Sequence, residues 1–196
     1  MLHDSFSDAN TPLSPEEQAD LIPSLATREE LNEWERDNIL RARQWALSER
    51  QLSRWNPTDE EYIRELHGRM FDQTWKWAGT YRKTDKNLGI PVDQILGRLA
   101  QLIGNATYWL SHKTFDLDES AVRFHHELVV IHVFPNGNGR HARMIADVIA
   151  VKYGRSPFTW GSKDLIPPGE ARDRYLSALR NADQGDIAPL LKFARS

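Results

Sequence analysis

Apolar residues recur at helical spacing along most of the chain. Leu31, Trp34, Ile39, Ala42 and Ala46 predict one long helix over about 28–47, or two short ones. Thr27 precedes it with Glu30 three positions later, the pattern of a capping box. Asn56-Pro57-Thr58 breaks the chain, and Thr58-Asp59-Glu60-Glu61 repeats the capping pattern before a stripe of Tyr62, Leu66, Met70, Phe71 and Trp75. The period is lost from Trp77 to Arg82. With Thr80, Tyr81 and Gly89 close by, residues 80–90 predict a short extended segment or β-hairpin. Pro91 opens a helix of about 92–111 carrying Ile95, Leu99, Leu102, Ile103, Ala106 and Leu110. Asp116 and Asp118 precede a helix of about 119–132. A glycine-bearing loop, Phe134–Gly139, leads to a helix of about 140–153 with Met144, Ile145, Val148 and Ile149 on one face. Gly154 stops that helix. Pro167-Pro168-Gly169 precedes a helix of about 170–181, and residues 186–195 make a last short one.

Residues 1–22 are polar, carry Pro12 and Pro15, and are expected to be a poorly ordered lead-in or an extended arm. The expectation is an all-α bundle with one short hairpin flap. Residues 1–55 form an N-terminal arm and helix, a candidate regulatory segment, and residues 56–196 form the main domain.

Composition narrows the function classes. Hydrophobic residues make up 40% and charged residues 27% of 196, as in a soluble globular protein. Cysteine is absent, which removes disulfides, thiolate catalysis and Cys-ligated zinc. The net charge is −3, a poor match to a polyanion binder, so no direct nucleic-acid contact is expected. Apolar runs such as Leu128-Val129-Val130-Ile131 are too short to span a bilayer, and MLHDSFSDAN lacks the layout of a signal peptide. No membrane association and a cytoplasmic address are expected.

The informative stretch is His125–Arg143. Gly137-Asn138-Gly139 stands directly before a helix, where glycine backbone freedom and the helix N-terminus converge N–H groups on one point. Phosphate is the usual guest of such a nest. Arg140 and Arg143 lie three apart on the first turn and can fork onto further phosphate oxygens. One phosphate in the nest and two near the arginines describe a triphosphate. His132 ends the preceding helix, and its side chain suits general-base work near neutral pH. The helix C-terminus favours imidazolium there and the arginines disfavour it. Rival motifs fail on detail: His126-Glu127 begins like HExxH, but Val130 takes the second ligand's place, and no Gly-Lys-Ser/Thr follows as in a P-loop. His125 and His126 are read as packing or hydrogen-bonding residues rather than members of a metal cluster with His132.

At this point the sequence resembles the Fic-domain family, whose signature is His-x-Phe-x-(Asp/Glu)-Gly-Asn-Gly-Arg-x-x-Arg. Here it reads His132-Val133-Phe134-Pro135-Asn136-Gly137-Asn138-Gly139-Arg140-His141-Ala142-Arg143. The resemblance runs from about Tyr62 to Phe193, with Ala78–Arg82 like the family's entry to its flap. The wording also resembles the bacterial subgroup called mobile mystery protein B. The resemblance implies a Fic-type helical bundle and an adenylyltransferase moving AMP from ATP to a Ser, Thr or Tyr hydroxyl of a target protein, with Mg2+. Carried over residue by residue, it makes His132 the base, and Gly137, Asn138 and Gly139 the holders of the α-phosphate. Arg140 and Arg143 hold the β- and γ-phosphates, and Phe134 is the loop anchor. The flap of Thr80, Tyr81, Arg82, Lys83, Thr84, Asp85, Lys86, Asn87 and Leu88 docks the target by strand-like pairing.

Two departures matter. Asn136 stands where the family has a magnesium-binding carboxylate and offers only a neutral carbonyl oxygen, a weak or indirect metal neighbour. This opens an alternative: a Fic-fold nucleotide-binding module, or transfer of phosphate or UMP, or removal of AMP. The family's inhibitory Ser/Thr-x-x-x-Glu-Gly/Asn helix has no strict copy. Thr27–Asn32 comes near with Leu31 in the Glu slot, which leaves Glu30 and Glu35 as the acids to reach Arg143. The subgroup resemblance implies a different control, a toxin–antitoxin arrangement with an antitoxin-like or helix-turn-helix partner.

Overall fold

In the computed structural model, which describes residues 13–162 and 168–196, the apolar stripes close on one another as a bundle of helices. The elements are α1 (Pro15–Ala19), α2 (Arg28–Ala46), α3 (Glu49–Arg54), α4 (Glu60–Phe71), a 3-10 turn (Val92–Gln94), α5 (Ile95–His112), α6 (Leu117–Ile131), α7 (Asn138–Lys152), α8 (Pro168–Asp183) and α9 (Ala188–Arg195). Helix α6 packs against α7 and α5, α2 against α4, and α8 against α9. Tyr62, Ile63, Leu66, Met70 and Phe71 from α4 meet Phe124, Leu128 and Ile131 from α6 and Ile145 and Ile149 from α7, all buried. Each such side chain contributes about 1.5–3 kcal/mol by leaving water; the stripes predicted on α4 and α7 are faces that pack, whereas Trp34 of the stripe predicted on α2 is 43% exposed. Among the described residues no helix is long and apolar enough to cross a membrane.

Capping chemistry explains where elements begin. The Thr27 hydroxyl accepts from the Glu30 N–H at 3.1 Å, and the Glu30 carboxylate accepts from the Thr27 N–H at 3.2 Å. The second predicted box, at Thr58–Glu61, does not form. Asp59 caps α4 without a side-chain bond to its backbone, because Asn56 donates to the Asp59 carboxylate at 2.6 Å and accepts from the Thr58 hydroxyl at 3.1 Å. Helix α3 is too short to show a period and was not expected. Helix α7 starts at Asn138 rather than 140, which draws the glycine loop into its first turn.

The lead-in is more ordered than its composition suggests. From residue 13 onward it carries α1, capped by a Ser14–Glu17 box. It then lies on the turn after α4, with Ile22 N–H bonded to Thr74 O at 2.8 Å, Lys76 N–H to Asp20 O at 3.0 Å, and Leu21 bridging Trp75. The first half of the expected arm, residues 1–12, lies outside the described residues, as does Pro167.

The predicted hairpin at 80–90 is absent; the segment is irregular. Its backbone carbonyls turn inward to a buried guanidinium instead of outward to a second strand. Arg82 is 2% exposed. Its Nε donates to His132 O at 2.7 Å, its Nη1 to Thr84 O at 2.9 Å and its Nη2 to Ile90 O, while its backbone N–H donates to Val133 O at 3.0 Å. A fork of donors that satisfies carbonyls at both ends of the segment competes directly with a ladder. Arg82→Ala strands those carbonyls and is expected to destabilise the chain by about 3 kcal/mol or more. Amide exchange at 83–90 should accelerate more than in α4; uniform exchange across the chain would refute the local role.

Candidate active site

The site is the reversal between α6 and α7. Helix α6 ends because His132 takes a left-handed conformation, φ 57° and ψ 59°. A non-glycine residue there is strained and persists only when its surroundings enforce it. Arg82 grips the His132 carbonyl, and Gly89 lies against the side chain so closely that a Cβ on Gly89 would fall 2.5 Å from His132 Cβ. His132 is 6% exposed. Burial lowers its pKa to about 4, Arg82 and Lys86 add to that, and a hydrogen bond with the Val129 backbone opposes them. Desolvation, which the sequence did not reveal, leads, with Arg82 and Lys86 rather than the motif arginines as the cations that assist it, and the ring is a neutral imidazole at neutral pH.

The loop after it is closed by Asn138. Its side-chain oxygen accepts from Phe134 N–H at 2.9 Å and its amide donates to Phe134 O at 2.8 Å. Phe134 is fully buried, with His67 stacked on it at 3.7 Å. His67 accepts from Gly79 N–H at Nδ1 (3.0 Å) and so donates from Nε2 to Asn136 O (3.1 Å), tying the flap's entry to the loop. No motif marks His67 in the sequence, where it lies within an expected helix but outside the apolar stripe. Gly137 has φ 77°, and a Cβ on it would meet the Phe71 ring at 2.5 Å, so both backbone angle and packing demand glycine.

The first intrahelical donor of α7 is His141, whose N–H reaches Gly137 O at 2.9 Å. The N–H groups of Asn138, Gly139 and Arg140 therefore have no acceptor within the helix and form the cup. Gly139 differs from Gly137. Its φ is not positive, and a Cβ on it would meet only the Tyr175 hydroxyl, at an ordinary 3.8 Å. Nothing in the packing requires glycine there.

Arg140 pairs with the Glu35 carboxylate and lies 4.9 Å from the Phe71 ring centre. Glu35, 8% exposed, also accepts from Trp75 Nε1 at 2.8 Å. This corrects the expected inhibitory contact. Glu35 reaches the first arginine of the motif, not Arg143, and Glu30 is spent on its own helix cap. Arg143 folds back, its Nε donating to Gly139 O at 3.2 Å and its guanidinium 5.1 Å from the Tyr175 ring. Asn136 turns its side-chain oxygen onto Gly137 N–H at 2.6 Å. His125 and His126 bond to Tyr175 and Asp183. On the flap, Thr80, Lys83, Thr84, Asp85, Asn87 and Leu88 are exposed. Tyr81 bonds Glu60 at 3.1 Å, Asp85 accepts from Val92 N–H at 2.8 Å, and Lys86 pairs with Glu17 of α1. The arm thus holds one end of the flap.

A sequence profile of the Fic/DOC family matches residues 57–150. A probable protein adenylyltransferase of Aquifex aeolicus is 31% identical over 148 residues, which span 70% of this chain and 42% of that protein. The structure of Fic-1 (residues 134–508) from C. elegans superposes with a TM-score of 0.65 at 27% identity, covering 92% of this chain and 52% of that one. BepC of Bartonella tribocorum with bound AMPPNP shares the fold, with a TM-score of 0.64 at 19% identity over 93% of this chain and 97% of that one. The chain therefore spans about half, or less, of the first two relatives.

Asn138→Ala strands both polar groups of Phe134 in the interior and is expected to cost about 2–5 kcal/mol in urea unfolding. A loss below about 1 kcal/mol, the net value of one ordinary hydrogen bond, would show that the loop closes without it.

Proposed function

Because the chain belongs to the Fic/DOC family through residues 57–150, we propose that it transfers AMP from ATP to a Ser, Thr or Tyr hydroxyl of a target protein. The observation that carries this reading is a buried neutral imidazole, His132, directly before a cup of helix N–H groups flanked by Arg140 and Arg143. The adenylyltransferase name of the Aquifex relative and the AMPPNP bound to BepC support ATP as donor.

His132 takes the hydroxyl proton, the oxygen bonds to the α-phosphorus, and the bond from that phosphorus to the pyrophosphate oxygen breaks. The N–H groups of Asn138, Gly139 and Arg140 stabilise charge on the α-phosphate oxygens, and Arg140 and Arg143 that on the departing pyrophosphate. Magnesium, when bound, neutralises phosphate charge. Asn136 would offer such an ion only a neutral side-chain oxygen that already accepts from Gly137 N–H, so the triphosphate would have to supply most of its ligands. The target lies along the exposed rim of Lys83, Thr84, Asp85, Asn87 and Leu88, docked by side chains, since no hairpin edge is offered.

The commitment of Asn136 to its own loop favours one second reading, a nucleotide-binding module or a Fic-type enzyme with another transfer. Incubating lysate with α- or γ-labelled ATP separates them. AMP transfer leaves only the α label on protein, phosphate transfer only the γ label, and a module neither. His132→Ala should abolish α labelling while AMPPNP binding survives; near-normal labelling by that variant removes the base. The base form of His132 is populated above its pKa of about 4. Its protonation therefore imposes no loss of rate between about pH 6 and 8, and the acid limb falls near 4.

Control of the site rests on Glu35, which holds Arg140 from α2; an antitoxin-like or helix-turn-helix partner is the external counterpart. Glu35→Gln keeps an acceptor for Trp75 but drops the charge, and should tighten AMPPNP binding several-fold, on the order of 1 kcal/mol. An unchanged dissociation constant in calorimetry would show that Arg140 is not restrained.

A further inference from the structure

Lys86 stands in the middle of the flap between two exposed neighbours, yet its side chain is only 5% exposed. Its ammonium pairs with the carboxylate of Glu17, which belongs to α1 and lies outside the family match at 57–150. The same carboxylate oxygen, Oε2, accepts from Ser14 N–H at 2.8 Å and so closes the capping box of α1. The Glu17 carbonyl accepts from Trp77 Nε1 at 3.2 Å, which fixes α1 over the entry to the flap. At the other end of the flap Gly89 presses on His132, and Lys86 lowers that ring's proton affinity. One carboxylate thus joins the start of α1, the flap and the surroundings of the base.

An ammonium nearly closed off from water is tolerated when a carboxylate answers it. Without the charge of Glu17 the Lys86 head must return to water, and the flap that carries it must move. Arg82 secures the two ends of the flap through Thr84 O and Ile90 O, and Glu17 secures its middle. Helix α1 has five residues, too few to persist without tertiary contacts, so arm and flap order each other. We propose that Glu17 is a positioning residue of the active site, which holds the flap through Lys86 so that a target meets an ordered rim beside His132. Ordering the rim in advance removes an entropy cost from target docking. Glu17 acts on the target side of the reaction, since the cup is closed separately by Asn138.

The proposal rests on the transfer reading above, and the test judges the two separately. Glu17→Gln keeps a side chain able to close the capping box while removing the charge that answers Lys86. In the full chain, N-hydroxysuccinimide acetate should modify Lys86 about tenfold more slowly than the exposed Lys83, and Glu17→Gln should remove that protection. With α-labelled ATP and lysate, Glu17→Gln should label about tenfold less protein than wild type, while its AMPPNP affinity in calorimetry stays the same. Combining Glu17→Gln with Lys86→Met leaves no buried charge unanswered and should restore most of the label. Undiminished labelling by Glu17→Gln, a parallel loss of AMPPNP affinity, or a double variant no better than the single one overturns the assignment. Wild type that binds AMPPNP yet labels nothing overturns the transfer reading. The clamp is then decided by Lys86 alone, and protection that persists in Glu17→Gln refutes it.

Discussion

Asn138 holds both the amide and the carbonyl of Phe134, and everything at the site follows from that closure. The chain must leave α6, turn and enter α7 without stranding buried backbone. The two bonds, at 2.9 and 2.8 Å, satisfy the reversal from within. Once Phe134 is fixed, its ring stacks on His67 and Gly137 presses on Phe71, so α4 becomes the floor under the loop. The first N–H groups of α7 are thereby aimed at one place with no partner from the helix. A rigid cup of this kind needs no reorganisation when charge develops, which is the property phosphoryl chemistry rewards.

The electrostatics around the cup run in one direction. Four buried histidines have depressed pKa values, each led by desolvation, and in three of them an arginine contributes: Arg140 for His67, Arg143 for His125 and Arg82 for His132. His141, depressed to about 3, is held by burial against a bond to Ile63 O. Neutral rings beside cationic side chains leave a positive field, which favours an anion at the helix start. Glu35 is the opposing charge, and its grip on Arg140 sets how much of that field is available to a ligand. The flap is under similar restraint, since Lys86 is held by Glu17 of the N-terminal arm.

Much of this is legible in the order of the amino acids. Local signals carry it: the helix faces of α4, α5 and α7 and most of that of α2, the Thr27 cap, the stop at Gly154 and the family of the loop. The failures have local causes too. Asn56 outcompetes the Thr58 cap, and α3 is too short to show a period. The hairpin expected at 80–90 is lost to Arg82, whose guanidinium takes the carbonyls a second strand would have needed.

What the sequence determined by itself is the motif and its order: an imidazole, a glycine-flanked turn and two arginines on one helical turn, because neighbours in sequence are neighbours there whatever the rest of the chain does. What only the tertiary structure decided is the surroundings of that motif. His67 beneath Phe134, Glu35 on Arg140 rather than Arg143, and Tyr175 at the edge of Gly139 come from α4, α2 and α8. Those contacts depend on how whole helices pack, a result of summed apolar burial that no short window of residues contains.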